Sequence, residues 1–122
     1  SLLDGKFNIQ VYNEKTHGFS EQTIRKSFDY ENVSIIKGYF PDCDHNLSDE
    51  TFSFIHLDTD TYKSTYKCLE FFYPRMSTSA ILVCHDYHNK QFTGVTEAFN
   101  TFMRDKESID KYPDTQGVFR KK

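Results

Sequence analysis

Two short apolar runs that break off into charged residues set the pattern of this chain. Phe52-Ser-Phe-Ile-His-Leu57 stops at Asp58-Thr-Asp60, and Ala80-Ile-Leu-Val-Cys84 stops at His85-Asp86-Tyr87-His88. Runs of this length bounded by polar residues predict strands buried on both faces, as in the parallel sheet of an α/β fold. Between them Tyr62, Tyr66, Leu69 and Tyr73 recur at helical spacing, with Thr65, Cys68 and Phe72 beside them. Pro74 ends that helix near Tyr73, and the aromatic stripe reads as core rather than as a cofactor box. Arg75 to Ser79 then turns the chain, so strand, helix and strand predict a right-handed parallel crossover.

From Gly94 onward Val95, Ala98, Phe99, Phe102 and Met103 fall at the spacing of one helix face, and the charged segment 104–111 extends that helix along solvent. Tyr112-Pro113-Asp114 breaks it, Gln116-Gly117 turns, and Val118-Phe119 opens a last strand that stops short of the usual length. Towards the other end, Phe7, Ile9 and Val11 alternate with polar residues as in a half-buried strand. Lys15 to Gly18 reads as a turn. Ser20 is the expected cap of a short helix ending near Tyr30, with Ile24 and Phe28 on one face. Val33 to Ile36 is a short strand stopped at Gly38, Tyr39-Phe40-Pro41-Asp42 is a loop with two anchoring aromatics, and His45 to Thr51 is polar surface.

At 122 residues the chain is one domain at most, and its 12 Phe and 8 Tyr compensate for a hydrophobic share of only 37%. A net charge of −3 gives no basic footprint for nucleic acid. An acidic rim favours a cation, or a substrate that a cation brings in. No run is long enough to span a membrane. Cys43, Cys68 and Cys84 make an odd count, two of them inside apolar segments, which predicts buried thiols, no disulfide framework and a cytoplasmic setting.

Ligands of parallel α/β sheets bind outside the carboxyl ends of the strands, so Asp58, Asp60, His85 and Asp86 are expected on one rim. Carboxylates from two adjacent strand ends suit a hard divalent cation such as Mg²⁺, with Asp58 and Asp86 as the best pair. The nitrogen of His85 suits Mn²⁺, Fe²⁺ or Zn²⁺ better. Asp60 either ligates or caps the helix that begins near Thr61. His56 shares a strand face with Asp58, so it points at the site or is a hydrogen-bonded core histidine. His85 and His88 lack the companions of a structural zinc site, and no nucleophile motif is present.

Taken together, these motifs carry a family resemblance. Phe54-Ile-His-Leu-Asp-Thr-Asp-Thr-Tyr-Lys-Ser-Thr65, Leu69-Glu-Phe-Phe-Tyr-Pro-Arg-Met76, Ile81-Leu-Val-Cys-His-Asp-Tyr87 and Gly94-Val95 resemble the macrocin O-methyltransferase family. Val33-Ser-Ile-Ile-Lys-Gly-Tyr-Phe-Pro-Asp42 and Asp114-Thr-Gln-Gly117 extend the likeness over roughly residues 20 to 120 in unbroken order. The resemblance implies a class I, Rossmann-like methyltransferase fold of parallel strands and crossover helices. It implies S-adenosylmethionine as methyl donor, Mg²⁺ or Mn²⁺ as the metal, and a sugar or vicinal-diol hydroxyl as acceptor. By the same resemblance Asp58, His85 and Asp86 are metal ligands, with His85 where the family commonly has Asp. Gly38, Tyr39 and Phe40 lie near the adenine, and His56 and Asp60 are the base or its helper.

The departures are specific. Ser79-Ala80 stands in place of paired glycines, and neither a Gly-rich loop after the first strand nor an acidic residue ending the second has a counterpart. The implied object is a single partial domain over 1–122, truncated at its N-terminus and lacking the first Gly-rich βα unit, with weakened cofactor binding. The loss of central strands leaves open edges and predicts a rearranged sheet or a homodimer. Two other readings compete. Asp58-Thr-Asp60 also fits the Asp-x-Asp signature of nucleotide-sugar glycosyltransferases, and a non-catalytic interaction domain would keep the fold without the cofactor.

Overall fold

A computed structural model of the chain describes residues 8–12, 20–40, 42 and 47–122. Phe7, the Lys15 to Gly18 turn, Pro41, Cys43 and residues 45–46 lie outside the described residues. The molecule divides into two compact units, Ser1–Glu50 and Thr51–Lys122.

In the first unit β1 (Asn8–Tyr12) runs parallel to β2 (Val33–Lys37), with Gln10 opposite Ile35. Helix α1 (Glu21–Ser27) starts where Ser20 caps it: its hydroxyl accepts from the Thr23 amide at 3.2 Å, and Glu21 sits in the first turn. The helix stops at Ser27, short of Tyr30, because the Phe28 amide still reaches the Ile24 carbonyl while Phe28 itself has left helical geometry. Leu47, within a short 3-10 turn at Leu47–Asp49, is buried, unlike the polar surface expected there.

The second unit holds a four-stranded sheet in the order β3-β4-β6-β5: β3 (Phe52–Leu57), β4 (Met76–His85), β6 (Gln116–Arg120) and β5 (Asp110–Tyr112). β3 and β4 are parallel, and β6 is antiparallel to both β4 and β5. Helices α2 (Tyr62–Phe72) and α3 (Thr93–Met103) follow β3 and β4. Alternate strand residues (Ile55, Leu57, Ala80, Leu82, Cys84, Phe119) are buried with Cys68 and Leu69 of α2 and Val95, Ala98 and Phe99 of α3. The opposite face is not buried: Phe54 is 60% exposed, and Ile81, Val83 and Val118 are half-buried. The expectation of strands buried on both faces therefore holds for one face only.

Helix α3 buries the five residues its periodicity singled out. Helix α2 buries Thr65, Cys68 and Leu69, whereas Tyr62, Tyr66 and Tyr73 flank that spine as a partly exposed aromatic rim. Tyr66 and Tyr73 both pack edge-on against Phe102, at 5.6 Å between ring centroids. The charged segment after Met103 does not extend the helix. Lys106 folds back so that its amide reaches the Met103 carbonyl and its ammonium the Phe102 carbonyl at 2.9 Å, and Asp110–Tyr112 becomes β5. Gln116 begins β6, which runs five residues, an ordinary strand length, after a turn with Asp114 and Thr115 in left-handed conformation.

The segment read as a turn before Ala80 belongs to β4. Phe52 pairs with Met76 but Phe54 with Ile81, so β4 bulges between those pairs. Ser79 lies at the bulge with φ 69°, held by its amide to the Lys121 carbonyl and by the Arg120 guanidinium on its own carbonyl. A side chain in that conformation costs about 1–2 kcal/mol. Glycine would relieve it but loses about 0.5–1 kcal/mol to chain entropy. Ser79→Gly is accordingly expected to raise the denaturant midpoint slightly with an unchanged slope, as read by equilibrium urea unfolding.

Close backbone approach fixes the other end of the sheet. A Cβ on Gly117 would lie 2.7 Å from the Tyr87 ring and 2.9 Å from Phe99. Gly117→Ala is expected to destabilise by about 1–3 kcal/mol through overpacking, visible as a lower thermal midpoint.

Candidate functional site

The parallel register sets Leu57 beside Cys84, so the residues that follow each strand leave the sheet side by side. Asp58 comes from the end of β3, and His85 and Asp86 come from the end of β4. Their ligand atoms all lie within 4.8 Å of one another, as one Asp-His-Asp group among the described residues. His85 Nδ1 stands 3.4 Å from Asp58 Oδ1 and 3.0 Å from Asp86 Oδ2. That nitrogen is out of solvent yet meets neither oxygen in hydrogen-bonding geometry. Two carboxylates and an imidazole nitrogen that face one point fit a cation held at their centre.

Each of the three side chains is fixed differently. The Asp58 side chain is 57% exposed, whereas that of Asp86 is only 6% exposed. Asp86 has φ 66°, a conformation that turns its carboxylate back towards the strand ends. The following backbone locks it: the Tyr87 amide donates to the Thr115 carbonyl at 2.9 Å, the His88 amide to Thr96 Oγ1 at 2.7 Å, and the Asn89 amide to the Asp86 carbonyl at 3.1 Å. Tyr87 lies under the loop, its hydroxyl donating to Asn100 Oδ1 at 2.6 Å and its ring edge-on to Phe99. Asn89 Nδ2 donates to Asp86 Oδ1 at 2.7 Å, leaving Oδ2 turned to His85.

The Asp58–Thr61 turn is tied by a threonine set. Thr65, fully buried in α2, shares a 2.8 Å hydroxyl contact with Thr59 and donates to the Thr61 carbonyl at 2.7 Å. The cap of α2 is Thr61, whose hydroxyl accepts from the Ser64 amide at 3.2 Å. Asp60 is therefore not the cap. It lies exposed in the turn, outside the Asp-His-Asp group. His56 is exposed on β3, and its ring centroid is 6.3 Å from that of His85. Gly38, Tyr39 and Phe40 belong to the first unit: Gly38 has φ 145°, Tyr39 is 69% exposed and Phe40 half-buried.

Sequence reasoning missed Asn89 and Thr65. The Asp-x-x-Asn spacing of Asp86 and Asn89, and three threonines at 59, 61 and 65, were the available signals. A groove beside Asp86 is lined by His88, Asn89, Lys90, Thr93, Thr96 and Glu97. Cys84 lies next to His85 in sequence but is not a ligand: burial first, then Asp86, Cys68 and Asp58, push its thiol up to about 12. Cys68 and Cys84 are both buried thiols outside any disulfide. No described helix is long and apolar enough to cross a membrane.

Burial lowers the affinity of His85 for a proton, but Asp86 and Asp58 together outweigh it and hold the imidazole above its ordinary value. Stability from the protonated ring is thus fully present below the ordinary value and lost as pH climbs through the raised one. At 37% exposure solvent screens much of it. Any divalent cation bound at this group would have to displace that proton, so its affinity is expected to rise with pH across the same window. Calorimetric titration of Mn²⁺ at about pH 6 and about pH 8 checks this, with tighter binding at the higher pH.

No protein of curated function matches the chain in sequence. Its fold is that of the O-methyltransferase NovP (TM-score 0.72, 20% identity, covering 84% of this chain and 45% of that one). It is also that of CalS11, a TDP-rhamnose 3'-O-methyltransferase of calicheamicin biosynthesis (TM-score 0.77, 15% identity, covering 92% and 56%). An O-methyltransferase from Bacillus cereus, solved with SAH, is similar at TM-score 0.62 and 10% identity, covering 90% and 59%. The chain thus spans about half the length of these solved chains and has the Rossmann-like α/β fold of class I methyltransferases. The profile of the Macrocin-O-methyltransferase (TylF) family matches residues 6–122, and the chain belongs to that family.

Proposed function

We propose that this chain carries the metal-binding and acceptor-side half of an S-adenosylmethionine-dependent sugar O-methyltransferase. The observation that carries the reading is the convergence of Asp58, His85 and Asp86 at the carboxyl ends of β3 and β4, within a chain of the macrocin O-methyltransferase family. Support for a sugar acceptor comes from CalS11, whose substrate is a TDP-rhamnose. Support for the methyl donor comes from the SAH-bound relative.

The three ligands would hold a divalent cation, which supplies Lewis acidity and a template for two neighbouring hydroxyl oxygens. The chain's own residues do the rest. His56, exposed beside His85, takes the proton from the reacting hydroxyl. The oxygen then bonds to the donor methyl as the methyl–sulfur bond breaks, leaving S-adenosylhomocysteine. Asp60, exposed in the adjoining turn, would be the helper of that base. The groove from His88 to Glu97 follows the loop that carries Asp86 and would admit the acceptor.

The test incubates the purified chain with S-adenosylmethionine, Mn²⁺ or Mg²⁺ and a panel of nucleotide sugars, and measures S-adenosylhomocysteine by mass spectrometry. Metal-dependent product is expected. Asp58→Asn should lower it by roughly 10–100-fold or more. His56→Ala should lower kcat while Mn²⁺ affinity stays unchanged. Binding of a UDP-sugar with no S-adenosylhomocysteine formed would overturn the reading in favour of a glycosyltransferase-type role for Asp58 and Asp60.

A further inference from the structure

The donor set of the site does not suit Mg²⁺ as it suits a transition ion. His85 closes β4 with Nδ1 withdrawn from solvent and aimed between two carboxylates, at 3.4 Å from Asp58 Oδ1 and 3.0 Å from Asp86 Oδ2. Mg²⁺ demands oxygen ligands in near-ideal octahedral geometry and gives up its waters reluctantly. An imidazole nitrogen offers it little in return for a lost water. First-row transition ions gain from the same exchange. Charge points the same way: two carboxylates and a neutral imidazole balance one divalent ion.

The surroundings leave the nitrogen no other partner. Asp86 Oδ1 is already taken by Asn89 Nδ2 at 2.7 Å, which fixes the carboxylate with Oδ2 towards His85. Asp86 is further held by its left-handed backbone and by the hydrogen bonds of the next three amides. The Cys84 thiol contacts the His85 carbonyl at 3.7 Å rather than the ring. The imidazole nitrogen thus faces the same point as the carboxylates, in an arrangement that a third oxygen ligand would have to rebuild.

We propose that the cation of this site is a nitrogen-accepting first-row transition ion, and that His85 Nδ1 is the ligand that selects it over Mg²⁺. The proposal rests on the metal-assisted reading above and names the class of metal that reading leaves open. Its consequence is that Mg²⁺ is a poor substitute, because the selecting atom is a nitrogen.

The test uses the metals alone, without donor or acceptor. Mn²⁺ is titrated into the full chain and followed by electron paramagnetic resonance, with pulsed measurement of nitrogen coupling and competition by Mg²⁺. Nitrogen coupling from one imidazole is expected, and Mg²⁺ should displace Mn²⁺ only at an excess of roughly a hundredfold or more. In His85→Asp the coupling should vanish and the preference for Mn²⁺ over Mg²⁺ should fall by at least roughly tenfold. Mn²⁺ bound without nitrogen coupling, or displaced by Mg²⁺ on equal terms, overturns this proposal and leaves the metal-assisted reading standing. Failure of both ions to bind the folded chain overturns both together. The wild-type coupling and competition decide the matter even if His85→Asp fails to fold.

Discussion

The site depends on the register of one parallel strand pair. Because Leu57 faces Cys84 across β3 and β4, the chain leaves the sheet at neighbouring points with Asp58 on one side and His85 and Asp86 on the other. Side chains alternate between faces along a strand, so a slip of one residue would send these ligands to opposite sides. Nothing local to Asp58 specifies its partner. The specification lies in the buried residues Ile55, Leu57, Leu82 and Cys84, whose common face must meet the helices.

The helices impose the register by packing closely at two glycines. A Cβ on Gly94 would come within 2.9 Å of the Tyr62 amide nitrogen, so the N-terminal turns of α2 and α3 meet almost backbone to backbone. At Gly117 the missing side chain leaves room for the Tyr87 ring, and Tyr87 in turn supports the loop that carries Asp86. Part of the backbone strain falls in the loop that carries the site, and the rest at Ser79, Asp114 and Thr115. Asp86 and His88 both hold positive φ, and the hydrogen bonds of Tyr87, His88 and Asn89 sustain it. Such strain persists only where surrounding structure over-determines it.

Much of this was legible in the sequence. The apolar face of α3, the stop of α2 at Tyr73-Pro74, the Ser20 cap and the strands ending near Leu57 and Cys84 follow from period, capping and proline chemistry, which act within a few residues. The same reasoning failed wherever a distant segment decided. Met76 to Ser79 look like a turn until Phe52 and Lys121 pair with them. Asp110 to Tyr112 continue a helical pattern until β6 offers a hydrogen-bonded edge. Thr61 rather than Asp60 caps α2 because Thr65 reaches back to the Thr61 carbonyl and seats the turn around it.

The sequence by itself determined which residues could do chemistry and on which elements they ride: Asp58, His85 and Asp86 at strand ends, in a family whose motifs run in unbroken order. Tertiary structure alone decided that His85 turns a solvent-free nitrogen to both carboxylates, that Asn89 holds Asp86, and that one sheet face stays open around Phe54. The physical reason is range. Propensity, capping and periodicity are properties of a few adjacent residues, whereas what a ring nitrogen faces is fixed by side chains that the fold alone brings within 3 to 4 Å.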